Sequence, residues 1–214
     1  MPTMARKGLP EVWPSGIASL LVGESSCAYA PWFKAHFMRF EKMPNLFDFA
    51  AWKVEHTALL NVTVKRLEKD GWKCQVEDQN RYRLTGSTAV LVAKPDIVAK
   101  KDKKIRVVDC KTGQQNDAHG VQVAIYQVTL PLAWERPTLY VEGEVAYKGT
   151  STFIEPEEAQ AMKARIFAVL RQMGASDRPK ATPSEKGCLY CEITEGDCPD
   201  RFKEVAVDVL TSEF

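Results

Sequence analysis

The chain has 214 residues, 45% of them hydrophobic and 27% charged. That is enough apolar side chain to bury a core and too much for a disordered chain, so one folded domain with an appendage is expected. Its 29 Lys and Arg against 28 Asp and Glu leave a formal net charge of +1, which excludes a global basic field and confines any nucleic-acid contact to local patches. No stretch approaches the ~20 apolar residues needed to cross a bilayer, and the opening Met-Pro-Thr-Met-Ala-Arg-Lys leads into no apolar leader, so a cytoplasmic protein is expected.

Apolar residues recur at helical spacing from Ser25 to Phe40 and from Asn45 to Lys69, with Gly71 as a stop, so two helices are expected to open the chain. Short runs rich in Val, Tyr, Thr and Leu follow: Trp72 to Glu77, Tyr82 to Leu84, Thr88 to Val98 and Lys104 to Asp109. Separated by polar turns, they predict an antiparallel meander. The Lys100, Lys101, Lys103, Lys104 run falls in its last turn and reads either as a basic patch or as a solvated hairpin tip. A helix is expected from Ala118 to Leu132, then strands at Thr138 to Tyr147 and Ser151 to Ile154. Glu155-Pro156-Glu157-Glu158 starts a further helix, with Pro in the first turn and carboxylates at the positive end of its dipole, and Gly174 stops it. Asp177 to Gly187, rich in Pro, Ser and Lys, is a linker into a cysteine cluster.

Two segments carry the chemistry: Lys94-Pro95-Asp96-Ile97-Val98 and Val107-Val108-Asp109-Cys110-Lys111-Thr112-Gly113. Side chains alternate along a strand, so Asp109 and Lys111 share one face, and Val108 and Cys110 share the other, which is expected to be buried while the charged pair is presented. A hairpin turning between Asp102 and Lys103 sets Asp96 opposite Asp109. Opposed residues on one face have Cβ atoms about 4.5–5.5 Å apart, a spacing at which two carboxylates repel unless a cation sits between them. Oxygen donors of this kind suit Mg²⁺ or Mn²⁺, and the backbone carbonyl of Cys110 lies between the two motif side chains. Lys111 then stands where an ammonium can stabilise charge growing on a phosphate. A surface hairpin with an Asp109–Lys111 ion pair is the plain alternative.

Pro95-Asp96 followed by Asp109-Cys110-Lys111 resembles the PD-(D/E)XK nuclease motif, and Lys111-Thr112-Gly113 resembles the ending common in its RecB-like branch. His56 stands where those nucleases carry a histidine metal ligand, and Gln122-Val123-Ala124-Ile125-Tyr126 resembles their QxxxY motif, with Gln and Tyr one helical turn apart and able to touch substrate and the motif lysine. The resemblance covers about residues 17 to 202. It departs from the pattern where Asp109 replaces the commoner Glu and where Ala93-Lys94-Pro95 stand without the usual preceding glycine. It implies a restriction-endonuclease-like α/β fold, a mixed sheet flanked by helices with a helical and cysteine-cluster cap. It also implies a site of Asp96, Asp109, Lys111, Gln122 and Tyr126, with His56, Asp96, Asp109 and the Cys110 carbonyl on Mn²⁺ or Mg²⁺. The implied reaction is cleavage of single-stranded DNA, often from the five-prime end. Trp32, Phe33, Tyr82 and Tyr126 are candidates for stacking on bases, with core packing as the alternative for each.

Cys188-x-x-Cys191 and then Cys198 place three thiolates in one loop at a spacing typical of metal sites. A tetrahedral zinc or a cubane cluster needs four ligands. Cys27 is the best fourth candidate, because Cys74 and Cys110 fall within expected strands. One N-terminal and three C-terminal cysteines resemble the iron-sulfur nucleases of the RecB-like family. The AddB nuclease domain and the fourth family of CRISPR-associated proteins are similar, the latter closest in size. The resemblance implies a four-iron four-sulfur cluster on Cys27, Cys188, Cys191 and Cys198, with zinc as the rival, and a CRISPR integrase or a recombination complex as partner. His36 and His119 carry no expected catalytic role, although His119 stands near Gln122 in sequence. Residues 1–214 are expected to form one nuclease domain, divided into an N-terminal helical part (17–70), a catalytic sheet and helix (71–154) and a C-terminal helix with the cysteine loop (155–214). A catalytically silent metal-bearing module that binds DNA or a partner protein is the competing reading, and RNA remains an alternative substrate.

Overall fold

The structure is a computed structural model that describes residues 2–44 and 47–202. Asn45 and Leu46, at the head of the second expected helix, and residues 203–214, at the end of the expected C-terminal part, lie outside the described residues. In chain order the elements are β1 (Met4–Ala5), β2 (Glu11–Val12), α1 (Pro14–Val22), α2 (Tyr29–His36), β3 (Phe37–Arg39) and α3 (Phe49–Lys69). Then come β4 (Lys73–Val76), a 3-10 turn at Glu77–Asn80, β5 (Tyr82–Thr85), β6 (Val90–Ala93), β7 (Ile97–Lys101), β8 (Lys104–Lys111) and α4 (Asp117–Ala133). The chain continues through β9 (Val141–Tyr147), β10 (Thr150–Ile154), α5 (Pro156–Ala161), α6 (Lys163–Gly174) and α7 (Glu185–Leu189).

Five strands form the main sheet in the order β10-β9-β8-β7-β4. All neighbours run antiparallel except β8 and β9, which are parallel. The mixed sheet that the resemblance implies is thus present, and the expected antiparallel meander is divided between two sheets, with β4 pairing with β7 while β5 and β6 pair elsewhere. Parallel neighbours need a crossover connection, and α4 supplies it. A second sheet, β2-β6-β5, takes up the other half of the run that the pattern predicts as one strand from Thr88 to Val98. The break falls at Lys94-Pro95-Asp96, because Pro95 has no N–H to give to a ladder.

The main sheet is covered on both faces, and the alternation along β8 shows how. Val107 belongs to a large apolar cluster with Val123, Ile125, Leu130 and Ile17, whereas Val108 and Cys110 join a smaller one with Leu60 and Leu67 of α3, Trp72 and Ile97. Each large aliphatic side chain buried this way contributes about 2 kcal/mol. Helix α4 is buried nearly all round, as a helix enclosed by sheet and helices must be. Its close seat on β9 depends on Gly143, where a Cβ would fall 2.5 Å from Gln127 Oε1 and 2.8 Å from Val123 Cγ1.

The N-terminal part differs from the two expected helices. The Ser25–Phe40 pattern is helical only over α2 and then turns into β3, which pairs with β1. Helix α1, which the pattern omits, packs Ile17, Ala18 and Leu21 against α4 and α6. Helix α3 ends as its sequence dictates, with Gly71 at φ 84° just past its last turn. The helix begun by Pro156 is interrupted at Met162, giving α5 and α6 in place of one. No helix among the described residues is long and apolar enough to cross a membrane.

Candidate active site

The β7–β8 register runs from Lys101 opposite Lys104 to Ile97 opposite Val108. Asp96 lies one residue before β7, at the end where β8 carries Asp109, and it closes the gap with its side chain: Cys110 N donates to Asp96 Oδ2 at 2.7 Å. The turn that aims Asp96 is held from behind. Asn80 Nδ2 donates to the carbonyls of Gln75, Pro95 and Asp96 at 2.8, 3.2 and 3.3 Å, and Glu77 N donates to the Asp96 carbonyl at 2.9 Å. Helix α3 brings His56, whose Nε2 lies 3.2 Å from Asp96 Oδ2. That bond, more than any other influence, raises the His56 pKa above its ordinary value.

Helix α4 enters from the opposite face. Its first turn is capped by Asn116, which accepts from His119 N at 3.1 Å. One turn on, Gln122 Nε2 donates to Asp109 Oδ1 at 3.0 Å and to Tyr126 Oη at 2.8 Å, while its Oε1 accepts from Lys111 Nζ at 3.1 Å. Lys111 Nζ also stands 2.7 Å from Asp109 Oδ2. That contact is an ion pair, and the buried Asp109 Oδ2 has no further partner. Burial pushes the Asp109 carboxyl up to about 6 even though Lys111 pulls it down. Desolvation outweighs the ion pair here, since an unscreened carboxylate is costly away from water.

The structure thus brings Asp96, Asp109, Lys111, His56, Gln122, Tyr126 and Cys110 together on one cleft of about 1220 Å³. Asp109 is not presented to solvent as the alternation predicts. It is only 3% exposed, because α4 covers that face of the sheet. Tyr126, 3% exposed, bonds Gln122, which in turn bonds Lys111. His119 does border the cleft, with Nδ1 2.9 Å from Tyr147 Oη, and burial pushes its pKa down to about 4. His36 lies elsewhere, stacked on Trp32 and 3.0 Å from the Met173 carbonyl.

The four cysteines Cys27, Cys188, Cys191 and Cys198 line one other cavity, of about 600 Å³. Among the described residues no three His, Cys, Asp or Glu side chains are drawn together tightly enough to hold an ion as they stand. The thiols are nonetheless neighbours: Cys198 has its pKa raised first by burial and then by the proximity of Cys27, Cys191 and Cys188. Arg201 clamps the loop by donating to the carbonyls of Cys188, Cys191 and Ile193 at 2.6, 3.0 and 2.7 Å. Cys110 is buried under α3, and Cys74 is half-buried on β4.

With this geometry in place, the sequence can be set beside known proteins. A model of the PD-(D/E)XK nuclease superfamily matches residues 11–195. The chain belongs to that superfamily. It is therefore a nuclease by family, a hydrolase of phosphodiester bonds, and the sheet flanked by helices is consistent with the superfamily's restriction-endonuclease-like fold. The crystal structure of SSO0001 superimposes with a TM-score of 0.48 at 16% identity, over 92% of this chain and 90% of that one. No curated protein matches the chain in sequence.

Seen as a PD-(D/E)XK chain, several assignments change. The Lys100–Lys104 run sits at the far end of the β7–β8 hairpin from the carboxylates, four to five residues or roughly 15 Å along the strands. There Lys101 donates to the Asp70 carbonyl and Lys100 lies over Trp134, so it is a hairpin tip and not part of the cleft. Trp32, Phe33, Tyr82 and Tyr126, the stacking candidates, are all core residues under 9% exposed. Sequence reasoning missed Asn80 and the 3-10 turn that support Asp96, and no local pattern marks them. It also missed Glu144, fully buried on β9 among Arg66, Arg106 and Ser151. Its charged residue type was visible, but Glu142 two residues earlier on the same strand has it too.

Proposed function

We propose that this nuclease is a divalent-metal-dependent deoxyribonuclease that cleaves single-stranded DNA, exonucleolytically from the five-prime end, in CRISPR adaptation or in recombination and repair. The observation that carries the metal-dependent reading is the pair Asp96 and Asp109, two carboxylates lining one cleft, with the buried Asp109 Oδ2 held by no partner besides the Lys111 ammonium. The narrower substrate and context rest on the resemblance of the Asp-x-Lys-Thr-Gly and Gln-x-x-x-Tyr segments to the RecB-like branch.

The donor types fit a hard divalent cation, which His56, Asp96 and Asp109 would have to draw closer together to hold. Two carboxylates supply oxygen ligands, and His56 Nε2 is already at Asp96. The N–H and C=O of a strand residue leave on the same edge, so the Cys110 carbonyl faces the side from which its N–H meets Asp96. Asp96, Asp109, the Cys110 carbonyl and His56 would hold Mn²⁺ or Mg²⁺, which when bound supplies Lewis-acid polarisation of the scissile phosphate and lowers the pKa of water.

The remaining work falls to the chain. Hydrolysis forms a bond from a water oxygen to phosphorus and breaks one P–O ester bond, with a water proton passing to the leaving alkoxide. Lys111 Nζ holds a positive charge at the cleft floor where it stabilises the negative charge developing on a phosphoryl oxygen. Gln122 positions that ammonium and the Asp109 carboxylate relative to one another, and Tyr126 fixes Gln122 from behind. Displacement of the His56 proton is needed before its ring can ligate, so the raised His56 pKa makes metal uptake favour higher pH.

The four cysteines are proposed to hold a four-iron four-sulfur cluster, with zinc as the rival: soft thiols lining one cavity suit either, and Cys198 among them is buried. Ordinary contacts already join the chain ends there. Tyr29 bonds the Asp197 carbonyl, Thr182 the Ser26 carbonyl, and Glu192 pairs with Lys34 and Lys42. The cluster would therefore reinforce a junction that exists without it. The test is incubation of purified protein with end-labelled single-stranded DNA, duplex DNA and RNA, with Mn²⁺ or Mg²⁺ and with a chelator. Shortening of single-stranded DNA that stops on chelation supports the reading. Tight DNA binding with no cleavage under any metal would instead favour a silent binding module.

A further inference from the structure

The first two turns of α3 bury nothing. Residues 49–55 are all exposed, and the helix first becomes partly covered at His56. Yet this projecting end is apolar, with Phe49 62% and Trp52 38% exposed and Phe47, just before the helix, 51% exposed. Their rings form a series. Phe49 and Phe47 are 5.0 Å apart between centroids, Phe47 and Trp52 6.3 Å, and Trp52 and His56 4.9 Å. The series leads from solvent to the histidine that bonds Asp96. Phe47 and Trp52 line the catalytic cleft, and so do Trp13, 36% exposed, and Tyr190, 81% exposed on the cysteine loop.

Without a bound metal, the side chains of this cleft offer a nucleic acid little net charge. Its lining carries Lys53, Lys94 and Lys111 against Glu77, Asp78, Asp96 and Asp109, and Lys94 and Lys111 are each already paired with one of those carboxylates. A ligand rich in phosphate gains little from that balance, whereas aromatic faces stack on any base whose own face is free. In a duplex those faces are covered by the neighbouring base pairs. Exposed aromatic side chains gathered at a cleft also have a cost in water that an isolated surface ring does not explain.

We propose that Phe47, Phe49 and Trp52, together with Trp13 and Tyr190, form a stacking rim that takes unpaired bases of single-stranded DNA and leads the strand to the Asp96–Asp109 site. The proposal rests on the nuclease reading above and assigns its single-strand selectivity to these residues. The rim is continuous with the catalytic cleft through Trp52 and His56, which is why its occupant is the substrate strand and not a second copy of the chain.

The first experiment uses the unaltered protein. Intrinsic tryptophan fluorescence is followed with a chelator present while a 12-nucleotide oligothymidine, the same length of abasic oligonucleotide, or a duplex is added. The oligothymidine quenches Trp13 and Trp52 and binds at least tenfold tighter than the abasic strand or the duplex. Equal affinity for the normal and abasic strands overturns the proposal, because phosphate contacts would then account for all binding. The second experiment compares Phe49→Ala and Tyr190→Ala, whose exposure makes their folding cost small. Each weakens oligothymidine binding about tenfold, the usual effect of deleting one stacking ring, and the loss falls in KM and not in kcat. Unchanged affinity in both variants, or dissolution of a dimer by light scattering in place of lost DNA binding, overturns it. Failure of the parent to cleave any nucleic acid would count against the nuclease reading alone, since the quenching experiment needs no turnover.

Discussion

Lys111 Nζ stands 2.7 Å from Asp109 Oδ2, two residues away on the same strand, and the Asp109 carboxyl is still raised to about 6 from an ordinary 3.8. Burial under α4 therefore costs this carboxylate more than its ion pair returns, and the metal-free site is electrostatically strained at neutral pH. The folded state holds the Asp109 proton more tightly than the unfolded chain. Its contribution is favourable below about pH 3.8 and is lost as pH rises to about 6.

Asp109→Asn removes that liability. In chelator, at pH 7, the variant is expected to be more stable than the parent by on the order of 2 kcal/mol, a rise of several degrees in Tm. Its Tm should also lose the decline that the parent shows between about pH 4 and 6. Thermal melts across that range decide the matter. A variant less stable than the parent at pH 7 would show that Asp109 is a stabilising ion-pair partner and not a strained one.

Lys111 and Gln122 act as a unit, and Tyr126 stands one contact further out. Lys111→Ala should lose roughly 10²- to 10³-fold in the rate of single-turnover cleavage, the usual magnitude for removing one preorganised charge stabiliser, with DNA affinity little changed. Gln122→Leu should approach that loss, because it frees both Asp109 and Lys111. Tyr126→Phe should cost under tenfold. A Tyr126→Phe defect as large as that of Lys111→Ala would place the tyrosine hydroxyl at the substrate.

The cysteines should divide four and two. Anaerobically purified protein is expected to absorb broadly near 400 nm, about where thiolate-ligated iron-sulfur clusters do. Ser at Cys27, Cys188, Cys191 or Cys198 should lower metal content, whereas Cys74→Ser should not. The N-terminal helices should stay docked in the metal-free variants, held by the Tyr29, Thr182 and Glu192 contacts. A colourless parent with one zinc per chain would keep the site and change the metal. Full iron in Cys27→Ser would remove Cys27 from it.

Glu144 is fully buried and depends on Arg66 and Arg106. Arg106 also pairs with Glu142 at 2.7 Å and lies over the rings of Trp72 and Phe153. Arg106→Ala should destabilise the fold by about 3 kcal/mol, since it leaves a buried carboxylate with one cationic partner, Arg66, beside the Ser151 hydroxyl and removes the stacked guanidinium. Urea denaturation measures this. A change under 0.5 kcal/mol, roughly that of an ordinary surface substitution, would show that Arg66 suffices for Glu144.

The β7–β8 hairpin was legible because two patterns agreed on it, the polar turn at Asp102-Lys103 and the alternation along Val107 to Lys111. Helix α4 was legible too, the helix expected from Ala118 to Leu132 being observed over Asp117–Ala133. What escaped was set by partners distant in sequence. The burial of Asp109 depends on α4 covering its face, the split at Pro95 depends on β6 finding β2, and α1 is held by α4 rather than by its own propensity. The aromatic residues show the same dependence: Trp32 and Trp52 both sit in helices, and only the tertiary fold encloses the one and leaves the other projecting.

The most direct measurement for the central claim is the single-turnover rate of cleavage of end-labelled single-stranded DNA in Mn²⁺, for the parent, Asp96→Ala and Asp109→Ala, with folding checked by circular dichroism. Each alanine removes a proposed metal ligand at the cleft floor. Parent cleavage is expected to be abolished by a chelator and not restored by Ca²⁺, and both folded variants to be slower by at least about 10²-fold, the order expected for loss of a preorganised charge-stabilising group. Cleavage by either folded variant at close to the parent rate would contradict that claim.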